Sequence, residues 1–173
     1  MSNFEPSETN WDDLGDTLTS IVQTSFEAVL AEIIDNSLDA DATKIHIEIV
    51  GYTKDDFAIF VYDDGAGFRT KEDQKAGKSP SIKGLEEAFS LAGGENMGGI
   101  GKFNIGLKIT PLSKCETVFA MCKLDDGKII HRGINKPMMA ENKNYGTFTE
   151  DPGTAATRVA RKTLKSDNNP YRT

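Results

Sequence analysis

The alternation of apolar and polar positions is clearest over residues 26–43, FEAVLAEIIDNSLDADAT. Phe26, Val29, Leu30, Ile33 and Ile34 recur at helical spacing, and Leu18, Ile21 and Val22 carry the stripe upstream. This predicts one long helix, capped by Asp16 or Thr17 and ending near Leu38 to Ala40. Residues 43–50 alternate with period two, as in a half-buried strand. Ile45, Ile47 and Ile49 point one way, and Lys44, His46 and Glu48 the other, which makes His46 a solvent-side residue. After a turn at 51–56, the continuous apolar run 57–62 (FAIFVY) predicts a central strand. Residues 69–80 read as loop. Ser81 opens a short helix with Ile82, Leu85, Ala88 and Phe89 on one side. Two strands are expected at 115–123 and 128–134, around the turn Asp125-Asp126-Gly127. Residues 136–144 read as loop, 145–148 as a further strand or a turn into one, and 154–164 as a helix or a last strand. The implied division is an N-terminal arm at 1–16, one domain at 17–164 and a C-terminal tail at 165–173.

The 173 residues suffice for one domain with a real core. The net charge of -7 argues against a dedicated nucleic-acid surface, so direct nucleic-acid binding is not indicated. No apolar run approaches the length of a membrane span, and MSNFEPSETN lacks the basic start and apolar centre of a signal peptide. Cys115 and Cys122 form no CxxC pair and no metal pattern with His46 or His131. Both read as strand residues, not nucleophiles. The expected compartment is reducing: cytoplasmic, or nuclear in a eukaryote. His131 has no adjacent acid to orient it, which disfavours catalysis.

Three stretches carry candidate chemistry. On the first helix, Glu32, Asp35, Asn36 and Asp39 fall at i, i+3, i+4 and i+7, one stripe of three carboxylates and an amide. Like charges so spaced cost a helix roughly 0.2–0.5 kcal/mol per pair. The stripe is either a solvated acidic face or the holder of a hard cation such as Mg2+, which its oxygen-only donors favour over zinc. The central strand stops at Asp63-Asp64-Gly65-Ala66-Gly67. An aspartate ending a buried strand is well placed to point into a pocket, and the glycines allow a ligand close approach. The other reading is an ordinary Asp-Gly hairpin turn. Third, residues 93–106, GGENMGGIGKFNIG, hold six glycines in 14 residues. They form either a linker or a loop whose free N–H groups suit phosphate oxygens; the Walker pattern is absent.

Taken in this order, the acidic helix, the strand ending in DDGAG and the glycine-rich segment resemble the GHKL, or Bergerat, ATP-binding fold. That family includes gyrase B, the heat-shock-ninety chaperones, sensor histidine kinases, MutL and MORC proteins. The resemblance spans roughly residues 20–150. EIIDNSLDADAT looks closest to the MutL and MORC first motif, and IGKFNIGLK to the chaperone and MORC lid. It implies an α+β, two-layer α/β sandwich: a mixed, mostly antiparallel sheet with helices on one face and a glycine-rich ATP lid. It also implies ATP and Mg2+ as cofactors. By the same resemblance, Glu32 would be the general base and Asn36 the Mg2+ ligand, with Asp39 supporting that shell or contacting the nucleotide through water. Asp63 would accept from the adenine amino group, with Gly65 and Gly67 lining the adenine pocket. Gly101, Lys102, Phe103, Gly106 and Lys108 would wrap the phosphates, and Thr147 would stand near the adenine.

Glu32 favours hydrolysis over histidine-kinase chemistry, because kinases of this fold generally lack a hydrolytic glutamate here. Two departures bear on activity. Asn104 occupies the middle glycine position of the lid, and the 173 residues are expected to be too few to include the transducer domain whose lysine gyrase, MutL and the chaperones use. The chain then reads as a fragment, a minimal protein or a subunit that borrows the group from a partner. The reading is therefore slow Mg-dependent ATP hydrolysis, with lid closure coupled to homodimerisation or to a partner subunit that lends the lysine. The alternatives are a non-hydrolysing ATP-sensing or assembly module and a histidine-kinase-like phosphotransferase.

Overall fold

A computed structural model describes residues 4–6, 25–51, 57–90, 109–142, 146–149, 154–166 and 169–173. The first helix, α1, runs Phe26–Asp39. Its N-cap is Ser25, in extended conformation, whose hydroxyl accepts from the Ala28 amide at 3.2 Å. The apolar stripe therefore does not mark one unbroken helix from Leu18. A serine bonding its own downstream amide starts the helix at Phe26. The caps expected at Asp16 and Thr17 lie outside the described residues.

β2 (Ile45–Gly51) and β3 (Phe57–Asp63) pair antiparallel, Ile45 opposite Asp63 and Ile49 opposite Ile59. The isoleucine face of β2 is more open than its alternation implied: Ile49 is 64 % exposed. Among the described residues β2 is the edge of a two-stranded sheet, and Ile47 is exposed as well. His46 is exposed as expected, yet its ring stacks on Tyr62 and Tyr171, at 6.1 and 5.9 Å between centroids.

The second sheet is antiparallel throughout, in the order β1 (Phe4–Pro6), β6 (Gly146–Phe148), β5 (Ile129–Asn135), β4 (Thr117–Lys123). Its first strand comes from the segment read as an arm; Phe4 stands opposite Phe148. The β4–β5 hairpin turns where expected, with Gly127 at φ 82°. Two short helices precede it, α2 (Lys71–Lys75) and α3 (Ile82–Phe89), followed by a single turn, α4 (Ile109–Leu112). α2 falls within the stretch read as loop. It buries no residue and so leaves no apolar period to detect; Thr70 caps it by accepting from the Asp73 amide.

Residues 136–142 also read as loop but form α5 (Lys136–Asn142). The Asn135 side chain accepts from the Met138 amide at 3.0 Å, and Pro137 suits a first helical turn. Met139 packs on the core. The last helix, α6 (Ala155–Lys165), settles the helix-or-strand alternative, with Thr154 as its N-cap.

The core lies on one face of the β4–β5 hairpin. Leu85 and Phe89 of α3 and Leu112 of α4 pack on Cys122, Ile130 and Ile134. The opposite face carries Phe119, His131 and Phe148, and there α6 brings Arg161 to within 3.5 Å of His131. The α+β arrangement expected from the sequence is present, with a helix on the second face as well. Cys115 is exposed and Cys122 buried; neither forms a disulfide.

Residues 169–173 join the two sheets. The Arg172 carbonyl accepts from the Lys123 amide of β4 at 2.8 Å, while its own amide donates to the Asp63 carbonyl of β3 at 2.7 Å. In the sequence these residues show no strand period, because the segment is short and its ladder partners are distant.

Candidate functional site

Helix α1 meets the end of β3. Glu32 is half-buried, and Asn36 and Asp39 are exposed. The Asn36 amide nitrogen donates to the Glu32 carbonyl at 2.7 Å, which leaves the side-chain oxygen for another partner. The next residue, Ser37, is buried, and its hydroxyl donates to Asp63 Oδ2 at 3.3 Å. This bond ties α1 to the DDGAG turn. The Gly65 amide donates to Asp63 Oδ1 at 2.9 Å.

The two adjacent aspartates have opposite environments. Asp63 is 5 % exposed, and burial pushes its carboxyl above the ordinary carboxylate range, against the pull of the Gly65 and Ser37 bonds. Asp64 accepts from the Thr43 and Lys44 amides at 2.7 and 2.8 Å and from the Thr43 hydroxyl at 2.8 Å. Those bonds, led by Lys44, hold its carboxyl low. Asp64 thus fixes the α1–β2 connection to the turn, while Asp63 keeps a buried carboxylate at the strand end.

The two turn glycines are required for different reasons. A Cβ on Gly65 would meet the Ala40 carbonyl at 2.8 Å, where the end of α1 presses on the turn and the Ala66 amide donates to that same carbonyl at 2.7 Å. Gly67 sits at φ 72°, and a Cβ there would meet Cys122 Sγ at 2.7 Å. Gly67→Ala is expected to destabilise by about 1–3 kcal/mol from backbone strain plus crowding. Gly127→Ala, at φ 82° with nothing within 4 Å, bears the strain alone. Denaturant unfolding should rank Gly67→Ala as the costlier; the reverse order would remove the packing argument.

Of the residues marked by the sequence, Glu32, Asn36, Asp39, Asp63, Gly65 and Gly67 fall on α1 and the turn that Ser37 joins to it. Gly101, Lys102, Phe103, Gly106 and Lys108, with Asn104, lie outside the described residues. Thr147 is buried on β6, and its hydroxyl accepts from Arg132 Nη1 at 2.6 Å; Arg132 Nη2 also donates to Glu86 at 3.1 Å. The hydroxyl placed opposite Asp63 belongs to Thr173. Asp63 and Thr173 exchange both backbone hydrogen bonds, at 3.1 and 3.2 Å, which puts their side chains on one face. Thr173 Oγ1 is buried, beside the Cys122 thiol. Sequence reasoning missed both Ser37 and Thr173. Ser37 lay one residue beyond Asn36 in the motif already marked, whereas nothing local flagged Thr173.

The profile of the family described as histidine kinase-, DNA gyrase B- and HSP90-like ATPases matches residues 24–163. With most of its length covered, the chain belongs to this family, and ATP binding is the property its members share. No curated protein and no solved structure matches the chain. Among the described residues, no helix is long and apolar enough to cross a membrane.

Proposed function

We propose that the chain binds Mg-ATP where α1 meets the DDGAG turn, and hydrolyses it slowly. The observation that carries this reading is the Ser37–Asp63 hydrogen bond. It joins the helix that carries the oxygen-rich stripe to the buried carboxylate. The residues fit a purine. Asp63 supplies a carboxylate acceptor at the strand end, and Gly65 and Gly67 let the turn beside it pack closely on Ala40, Cys122 and Arg172. They also fit a cation shared with phosphate. Among the described residues, no group of three His, Cys, Asp or Glu side chains could hold a metal by itself. Asn36 would contribute one oxygen, and the rest of an octahedral Mg2+ shell would come from phosphate and water.

When bound, Mg2+ would neutralise charge on the phosphates. Asp63 would accept from the adenine amino group, and Asn36 would hold the metal, with Asp39 supporting that shell. Glu32, one helical turn before Asn36, would orient and deprotonate the attacking water. On the family pattern, Gly101, Lys102, Phe103, Gly106 and Lys108 would close over the phosphates, and closure would favour a second copy or a partner subunit. Thr147 remains the family's threonine by motif; Thr173 is the second candidate, on the ground of sharing a face with Asp63.

Titration calorimetry with Mg-ATP tests the binding reading, and phosphate release tests turnover. Saturable binding with slow release is expected. Heats no larger than dilution up to millimolar Mg-ATP would defeat it.

A further inference from the structure

The Asp63 carboxylate depends on its backbone, and among the described residues β3 has a neighbouring strand on one side only. On the other side its last residue is held by the segment 172–173. The Asp63 carbonyl accepts from the Arg172 and Thr173 amides at 2.7 and 3.2 Å, and the Asp63 amide donates to the Thr173 carbonyl at 3.1 Å. The same segment reaches β4 through the Lys123 amide.

A side-chain contact fixes the segment in place. Arg172 Nη1 lies 2.9 Å from Asp125 Oδ1 in the β4–β5 turn, with the two side chains 34 % and 55 % exposed. Asp125 Oδ2 also accepts from the Ser79 hydroxyl, and these two partners, Ser79 foremost, hold its carboxyl low. Ser79 precedes Pro80, whose Cβ lies 3.2 Å from where a Cβ on Gly67 would stand. The Arg172 Cδ approaches the same point at 3.2 Å. The Arg172 stem thus lies across the glycine turn, while its head is anchored on the neighbouring hairpin.

We infer that Arg172 is a positioning residue for the base pocket. Through its pair with Asp125, it clamps residues 172–173 onto the end of β3 and so holds Asp63 and Gly67 in register with α1. The inference deepens the proposed ATP site and rests on it for its effect on affinity; the clamp itself does not.

The test uses the full chain as wild type, Arg172→Ala, Asp125→Ala, the double variant and Arg172→Lys. Amide hydrogen exchange is read at Asp63, and Mg-ATP affinity by calorimetry. A partly exposed ion pair is worth about fivefold in an equilibrium. Each single alanine variant should therefore speed exchange at the Asp63 amide about fivefold and weaken Mg-ATP binding by a similar factor. Amides of the β4–β5 ladder should stay as protected as in wild type. The losses in the double variant should be less than additive, since the Arg172–Asp125 contact is removed in all three, while the Ser79 bond is lost only with Asp125 and the packing stem only with Arg172. The contact is made through a single nitrogen, so Arg172→Lys should recover part of both effects. Unchanged Asp63 exchange in both single variants, or additive losses in the double, overturns the clamp. A wild type that fails to bind Mg-ATP overturns the proposed function instead, and Asp63 exchange then decides the clamp alone. Should Arg172→Ala unfold, Asp125→Ala and Arg172→Lys carry the same comparison.

Discussion

Asp63→Asn is expected to weaken Mg-ATP binding roughly 10- to 150-fold, the value of one charge-assisted hydrogen bond. Its thermal midpoint near neutral pH should be unchanged or raised. The two halves of this prediction share one cause. Asp63 is buried at the strand end, and its carboxyl titrates above the ordinary range because burial disfavours the charge. The folded protein therefore holds that proton more tightly than the unfolded chain does. Its contribution to stability is fully present below the unfolded pKa and is lost as pH rises through the raised folded value. At neutral pH the buried charge is a net cost, which asparagine removes. Asparagine can still accept from Gly65 and donate to the Ser37 hydroxyl, but it then turns an N–H donor where the carboxylate oxygen would accept from a purine amino group. By the same argument, wild-type affinity should fall on acidification at a pH above that of an ordinary carboxylate. Calorimetry and thermal scans at two pH values test all of this. An affinity within about twofold of wild type would be below what any such bond supplies and would take Asp63 out of the site. A lowered midpoint would trace the loss to misfolding.

Glu32→Ala should separate turnover from binding. Loss of a positioned general base lowers hydrolysis about 10²- to 10⁴-fold. Affinity for Mg-ATP should hold, because the assigned role is toward water and not toward the nucleotide. Stability should not suffer either. Glu32 is only half-buried on α1, alanine is the better helix former, and the change removes one member of a like-charge stripe that includes Asp35. Phosphate release and calorimetry on one preparation give both numbers. Equal release rates for variant and wild type would strip Glu32 of its role. Parallel loss of binding and release would make it a nucleotide contact.

Much of the site is contained in short motifs. Glu32, Asn36 and Asp39 are spaced by the helix itself, and Asp63, Gly65 and Gly67 by one turn, so local periodicity was enough to group each set. The same holds for the β4–β5 hairpin and for the helix opened by Ser81. Elements without an apolar period were not readable. α2 buries nothing, and α5 begins on a side-chain cap from Asn135, so both resembled loop. The N-cap at Ser25 was hidden inside a stripe that continues on either side of it. A hydrophobic period reports which face is buried, not where the backbone changes direction.

The sequence by itself determined the family, the α+β class and the polar groups on the first helix and the DDGAG turn, because those depend on residues a few positions apart. Tertiary structure alone decided which groups meet. Ser37 reaches Asp63 across 26 positions, Asp64 and not Asp63 fastens the α1–β2 connection, and Thr173 and Arg172 arrive from the far end of the described chain to complete the edge of β3. Such contacts leave no local trace. A hydrogen bond or an ion pair constrains only the two residues that make it, and neither partner needs a pattern around it to serve.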